Sequence, residues 1–157
     1  MLATEKKFLT FSLGSEDNAV IPLANIAEVL QVSLSEICVV PQMESCVMGI
    51  YNWRGEMLWL IDLEKMLGYS SFSYNQTLSK MMAIVIQFEG KSLGLLVREL
   101  TDIESLDSAQ MKPINEELFS PEINQFLSGY FINSGEDIIL NINADAIVKA
   151  SIWNLHN

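Results

Sequence analysis

The sequence predicts a single all-β domain with a few short helices. Short apolar segments of strand length recur along the chain, and turn residues separate them about every eight to twelve residues. The order of strands and turns in the first half is repeated in the second half. With 157 residues, half of them hydrophobic, the chain is long enough to bury a sizeable core.

The first half opens with two predicted strands, from Phe8 to Leu13 and from Ala19 to Pro22, with turn residues between them. Ile26, Val29 and Leu30 follow as a short amphipathic stretch. The second half repeats this order over residues 82–106. It has strands at 82–88 and 93–97, and then apolar residues at helix-like spacing at positions 100, 103 and 106.

Residues 52–68 predict a tight hairpin followed by a capped helix. Arg54-Gly55 suits the tip of a short turn, because glycine tolerates positive φ. Met57 to Ile61 is an apolar run of strand length. Asp62 is a suitable N-cap for a helix that stops at Gly68.

The repeated order predicts two related β subdomains within one domain over residues 1–157. The halves span about residues 8–68 and 81–150, and the polar, uncharged stretch at about 69–79 is the predicted linker. Landmarks recur at corresponding places: Glu28 with Asp102, Gly49 with Gly129, Gly55 with Gly135, and the capping-type residues Asp62 and Asn141.

In this alignment Arg54 falls opposite Ser134, and Trp53 falls opposite Asn133, so neither residue recurs. One interpretation of Arg54 is a solvated turn residue, as most loop arginines are. The other is an interface anchor, which the nearby aromatic residues favour because arginine and aromatic side chains are enriched at binding hot spots.

Composition and charge limit the classes of function. Nine Lys plus Arg against twenty Asp plus Glu give a formal charge of −11, which makes nucleic acid a poor partner. No apolar run is long enough to predict direct insertion into a membrane, and the N-terminal residues do not resemble a secretion signal, so we expect a cytoplasmic protein. Cys38 and Cys46 are predicted to be buried thiols.

The sequence gives little indication of catalysis. Its one histidine, His156, stands next to the last residue, where it has no predicted partner. Asp102 and Glu104 form at most a weak carboxylate pair. We therefore predict no cofactor, no metal and no enzymatic activity.

Several segments, taken in order over about residues 7–150, resemble the chemotaxis coupling proteins, the CheW-like adaptor family. Ile26-Ala27-Glu28-Val29 corresponds to the family's Val-x-Glu-Val/Ile element, and Asn52-Trp53-Arg54-Gly55 to its Asn-Leu-Arg-Gly. The other matching segments are Leu60-Ile61-Asp62-Leu63, Gly94-Leu95-Leu96-Val97 and Leu140-Asn141-Ile142.

This resemblance implies two intertwined five-stranded SH3-like β-barrels around a shared hydrophobic core. It also implies a non-enzymatic adaptor that couples the cytoplasmic tip of chemoreceptors, the methyl-accepting chemotaxis proteins, to the regulatory domain of a CheA-type histidine kinase. Such a protein would associate with receptor arrays at the inner face of the membrane. The alternative is a β-barrel that binds a small molecule between its aromatic strands.

By the same resemblance, partner contacts are expected at Arg54, Glu28, Ile26, Val29, Gly49 and Trp53, with Val97 lining a groove between the barrels. The chain departs from the family at three places. Arg98 follows Val97 where family members often have aspartate, Trp53 replaces the usual leucine, and Leu58-Trp59 replaces Val-Pro. The aromatic departures point to a branch that serves pilus-based motility or phototaxis.

Overall fold

The computed structural model describes residues 4–69 and 80–150. Within these residues there are ten strands, three short α-helices and three single-turn 3₁₀ helices. The strands are β1 (Glu5–Leu13), β2 (Asp17–Pro22), β3 (Ile26–Ser33), β4 (Val47–Trp53), β5 (Glu56–Asp62), β6 (Lys80–Phe88), β7 (Lys91–Val97), β8 (Leu100–Asp107), β9 (Leu127–Ile132) and β10 (Ile138–Ile142). The α-helices are α1 (Leu63–Met66), α2 (Pro121–Asn124) and α3 (Ala144–Val148).

The strands form two five-stranded curled sheets, and each sheet takes strands from both halves of the sequence. Barrel 1 has the order β8-β1-β2-β10-β9, and barrel 2 has the order β3-β6-β7-β5-β4. The two halves meet through parallel pairs, β2 with β10 and β5 with β7, whereas the other pairs are antiparallel. The predicted all-β fold with two intertwined five-stranded barrels is therefore confirmed.

Each barrel closes through the segment that follows one of its edge strands. After β3, Cys38 forms an isolated bridge with Ile50 on β4, with two backbone N–H···O bonds of 2.8 and 2.9 Å. After β8, Lys112 bridges Tyr130 on β9 in the same way, with bonds of 2.7 and 3.0 Å. The first and last strands of each sheet are thus brought together.

Gly49 and Gly129 allow these closing segments to approach. A Cβ at Gly49 would lie 2.3 Å from the carbonyl oxygen of Cys38, and a Cβ at Gly129 would lie 2.5 Å from that of Lys112. Both distances are far inside van der Waals contact with a backbone atom. The recurrence of these two glycines in the sequence therefore has a steric cause.

The core consists of three clusters of buried side chains. The largest lies between the barrels and includes residues from both, together with side chains from the three α-helices. A second cluster fills barrel 2 and contains Trp53, Leu58 and Leu60. A smaller one in barrel 1 contains Phe8 and Phe131, whose rings meet edge to face at 5.5 Å. The shared core implied by the family resemblance is present.

The two amphipathic stretches are strands, β3 and β8, so their helix-like spacing was misleading. A β-bulge in β3 leaves Ile26 opposite Ile86, and Val29 opposite Ile84, which places both side chains on one face although they are three residues apart. The same kind of irregularity occurs between β1 and β8. Leu100 lies opposite Phe11 and Ile103 lies opposite Leu9, so these two side chains also share one face. A bulged strand therefore reproduced the i, i+3 pattern of a helix.

The first predicted helix cap is confirmed, and the second is wrong by two residues. The Asp62 carboxylate accepts the backbone N–H of Lys65 at 3.2 Å, and α1 ends before Gly68. In the second half the cap is Asn143, which accepts from Ala146 N–H at 3.1 Å. Asn141 lies inside β10, opposite Gly129.

The two cysteines differ in exposure. Cys46 is buried as expected, but Cys38 is exposed, because its backbone rather than its side chain takes part in barrel closure.

Of the predicted linker at 69–79, only Tyr69 belongs to the described residues, and its hydroxyl donates to the Asp17 carboxylate at 2.5 Å. His156 also lies outside the described residues.

We expect Gly49→Ala to lower the free energy of unfolding by about 2 to 4 kcal/mol, because the added methyl group must displace the Cys38 carbonyl and open the bridge that closes barrel 2. Urea unfolding measures this. Gly135→Ala is the matched control, since an added Cβ there meets nothing closer than 3.4 Å. Equal stability of the two variants would contradict the steric argument.

The two thiols should differ in reactivity. Burial raises the pKa of the Cys46 thiol above its usual range, with the Glu44 and Asp62 carboxylates acting in the same direction, so little thiolate forms there. A disulfide reagent near pH 8 should modify Cys38 rapidly and Cys46 only on unfolding. The rapid phase should disappear in Cys38→Ser, and its persistence in that variant would contradict the assignment.

Candidate functional site

The candidate site lies at the end of barrel 2 where β3 and the β4–β5 hairpin meet. β3 and β4 are the two outer strands in the hydrogen-bonding order of this sheet, and the gap between them is called the seam here. Glu28 lies on β3, Trp53 is the last residue of β4, and Arg54 occupies the turn that follows. Barrel closure therefore brings together residues about 25 positions apart.

The turn that carries Arg54 is a two-residue hairpin turn. Trp53 pairs with Glu56, and the two central residues, Arg54 and Gly55, have φ angles of +52° and +78°. This is the pattern of a type I′ turn, in which Asn-Gly is the favoured pair. Gly55 fits as predicted, whereas an arginine at positive φ is unfavourable for a side chain of its size.

Three side chains meet across the seam. The carboxylate oxygen Oε1 of Glu28 accepts a hydrogen bond from the indole Nε1–H of Trp53 at 3.1 Å and another from Nη2–H of Arg54 at 2.7 Å. The Arg54 guanidinium also lies 4.8 Å from the centre of the Trp53 ring, within the range of a cation–π interaction. We call these three residues the seam triad.

Exposure increases through the triad from the barrel interior to solvent. Trp53 is 6% exposed and belongs to the apolar cluster inside barrel 2, whereas 35% of the Glu28 side chain and 63% of the Arg54 side chain are exposed. The exposed part of the triad is therefore mainly the Arg54 guanidinium, which is held by two less exposed side chains. Trp53 is the most buried of the three and offers little surface of its own to another molecule.

Ile26 and Val29 lie on the same strand as Glu28, β3, and are partly buried against the core between the barrels. Met57 on β5 is 77% exposed. Strand alternation places it on the opposite face from the buried Leu58 and Leu60, but both faces of this run are apolar, so the exposure of Met57 could not be predicted from the sequence.

Two predicted contact residues are corrected by their burial. Val97 is fully buried at the end of β7 in the core between the barrels, opposite Met82. Gly49 is buried under the Cys38 carbonyl. Neither residue lines an accessible surface, so both serve packing and barrel closure.

Arg98, the residue where the family often has aspartate, has a local partner. Its Nε–H donates to Oε2 of Glu64 at 2.7 Å, and the Glu64 side chain is fully buried in the first turn of α1. Oε1 of Glu64 is also buried and has no hydrogen-bond partner among the described residues. The Arg98 charge therefore compensates a carboxylate that water cannot reach.

The corresponding end of barrel 1 is built differently. Asp102, the sequence counterpart of Glu28, accepts from the backbone N–H of Ile103 at 2.7 Å instead of reaching the β9–β10 hairpin. That hairpin has a longer loop over residues 133–137, so Ser134 is not the structural counterpart of Arg54. A groove of about 490 Å³, lined in part by Phe131 and Ile139, stays open there.

The described residues contain no group of three or more His, Cys, Asp or Glu side chains placed to hold a metal ion. In the same part of the chain, no helix is both long and apolar enough to cross a membrane.

A family model and two curated relatives that match this chain all carry the name CheW. A family model for the CheW-like domain matches residues 7–151. A chemotaxis protein CheW of Klebsiella aerogenes is 25% identical over 111 residues, which cover 71% of this chain and 63% of that protein. A chemotaxis protein CheW of Helicobacter pylori is 26% identical over 113 residues, which cover 71% of this chain and 64% of that protein. The match thus spans a little under two thirds of the length of these relatives.

The fold also resembles a solved structure, that of the scaffolding protein TtCheW from Thermoanaerobacter tengcongensis. The TM-score is 0.74 over 87% of this chain and 88% of that one, at 23% sequence identity. At this identity the likeness concerns the fold, and it agrees with the two five-stranded barrels described above.

We expect Arg98→Met to lower the free energy of unfolding by about 2 to 4 kcal/mol, because it leaves the buried Glu64 carboxylate without its cation. Urea unfolding is the measurement. Adding Glu64→Gln to that variant should recover part of the loss, since the uncompensated charge is then absent. An unchanged unfolding midpoint in Arg98→Met would show that the pair contributes nothing.

Proposed function

This chain belongs to the CheW-like domain family, and from that membership we propose that it is a non-enzymatic adaptor that couples chemoreceptors to a CheA-type histidine kinase. The proposed partners are the regulatory domain of the kinase and the cytoplasmic tip of the receptor. The proposed location is the cytoplasm, at receptor arrays on the inner face of the membrane. The relatives' name, chemotaxis protein CheW, supports this role. The small-molecule alternative is not favoured.

The observation that carries the proposal is the exposed arginine of the seam triad. Arg54 is 63% exposed, yet its guanidinium is held by the Glu28 carboxylate, with Nη2 2.7 Å from Oε1. An anchored arginine loses less conformational freedom when it binds, and its planar fork of donors recognises carboxylates well. We propose Arg54 as the central contact, with Glu28, Ile26 and Val29 around it.

The turn geometry explains the glycine but not the arginine. Arg54 has a φ of +52°, where asparagine would be more favourable next to Gly55. Glu89 takes a similar φ of +51° before Gly90 in the β6–β7 turn, so a long charged side chain at this turn position is not unique to the site. What distinguishes Arg54 is its pair of contacts with Glu28 and Trp53, which hold the guanidinium at the surface and support a role in recognition.

We expect Arg54→Asn to weaken binding to the kinase or the receptor by about 1 to 4 kcal/mol, as for a central interface residue, while keeping or slightly raising the melting temperature. Isothermal titration with the purified partners measures the affinity, and a thermal melt measures the fold. Asparagine suits the turn better than alanine, so it removes the guanidinium without adding turn strain.

Lys91→Ala is a matched control, because Lys91 is another exposed cation next to a tight turn, between β6 and β7. It should bind both partners as the wild type does. Wild-type affinity of Arg54→Asn for both partners, or an equal loss in Lys91→Ala, would refute the assignment of Arg54.

A further inference from the structure

Glu28 receives two donors on one oxygen, and the two donors come from different environments. The indole Nε1–H comes from a side chain that is 6% exposed, and the Nη2–H comes from one that is 63% exposed. Trp53 also packs among Leu58, Leu60 and other buried side chains of barrel 2. The indole is thus fixed by the barrel core, and it in turn fixes the Glu28 carboxylate.

The same indole supports Arg54 directly. The guanidinium lies 4.8 Å from the centre of the Trp53 ring while one of its nitrogens bonds Glu28. An arginine side chain has several rotatable bonds, so two simultaneous contacts restrict it strongly. The hydrogen bond to Glu28 uses Nη2, which leaves Nε–H and the Nη1 donors without a hydrogen-bond partner among the described residues.

The indole N–H has an electrostatic consequence as well. It donates to the same oxygen as Arg54, so the Glu28 charge is partly compensated even without the guanidinium. Arg54 is therefore less fully neutralised by Glu28 than it would be in an isolated pair. Its open donors keep the capacity to bind a second, planar acceptor.

We propose that Trp53 is a positioning residue, which holds Glu28 and Arg54 as one preorganised unit for a carboxylate on the partner surface. This inference rests on the proposed function, because it assumes that Arg54 is the contact. It revises the sequence prediction that Trp53 itself contacts a partner. A leucine at position 53 could fill the barrel but could neither donate to Glu28 nor support the guanidinium.

A double-mutant cycle with the kinase tests the proposal. Trp53→Phe keeps an aromatic face and removes the N–H donor. In the wild-type background it should weaken the affinity about three- to tenfold, with a melting temperature close to that of the wild type. In the Arg54→Asn background it should have no further effect, because the positioned group is absent. A purely structural tryptophan would give equal losses in both backgrounds.

A second variant, Glu28→Ala, tests the same hydrogen bond if Trp53→Phe fails to fold. Glu28→Ala removes the shared acceptor without touching the packed ring, and it should lower the affinity at least as much as Trp53→Phe does, because it also removes a proposed contact. It also allows a readout on the free protein. Hydrogen exchange of the Trp53 indole N–H should accelerate in Glu28→Ala, with the indole of partly buried Trp59 as the internal reference.

The outcomes separate the two proposals. If Arg54→Asn binds as the wild type does, the proposed contact surface is wrong. If Arg54→Asn loses affinity but Trp53→Phe is additive with it, the contact stands and the positioning role is overturned. Unchanged exchange of the Trp53 indole in Glu28→Ala would also overturn it.

Discussion

The architecture depends on two parallel strand pairs, β2 with β10 and β5 with β7. In each pair one strand comes from each half of the chain, and each pairing extends over three residue positions. Parallel neighbours cannot be joined by a tight turn, so the chain must leave the sheet and return. Between β2 and β10 it builds the strands of barrel 2, and between β5 and β7 it builds β6 of the same barrel. The core between the barrels follows from this exchange of strands between the halves, because neither half of the sequence forms a complete sheet.

The two halves share what the fold needs and differ where the candidate site lies. A glycine beneath the closing segment, a bulge near the start of an edge strand and a side-chain cap on the last helix of each half recur. The β4–β5 and β9–β10 hairpins, in contrast, differ from each other. One is a two-residue turn with an arginine at positive φ and a buried tryptophan beside it, and the other is a longer loop beside an open groove. Repeated features thus identify structural requirements, and the break in the repeat coincides with the candidate site.

Local signals in the sequence were sufficient for most strands and for the Asp62 cap, because strand length, turn residues and caps depend on near neighbours. The errors have non-local causes. β3 and β8 looked helical because a bulge places residues three apart on one face. Val97 and Cys38 were misplaced because their exposure depends on which segments close over them. The hydrogen bond between Glu28 and Trp53 arises only when the barrel closes, so no partner of Trp53 could be predicted from the sequence.

The strand exchange also orders the barrels along the chain. The five strands of barrel 2, β3 to β7, follow one another along the chain, whereas barrel 1 joins β1 and β2 to strands that begin at Leu100 and end at Ile142. During synthesis on the ribosome, every strand of barrel 2 is therefore available while the last two strands of barrel 1 are still untranslated. Until β10 emerges, β2 keeps an unpaired edge, which is a site for wrong pairing in nascent chains. Barrel 1 is in this sense a split domain into which barrel 2 is inserted.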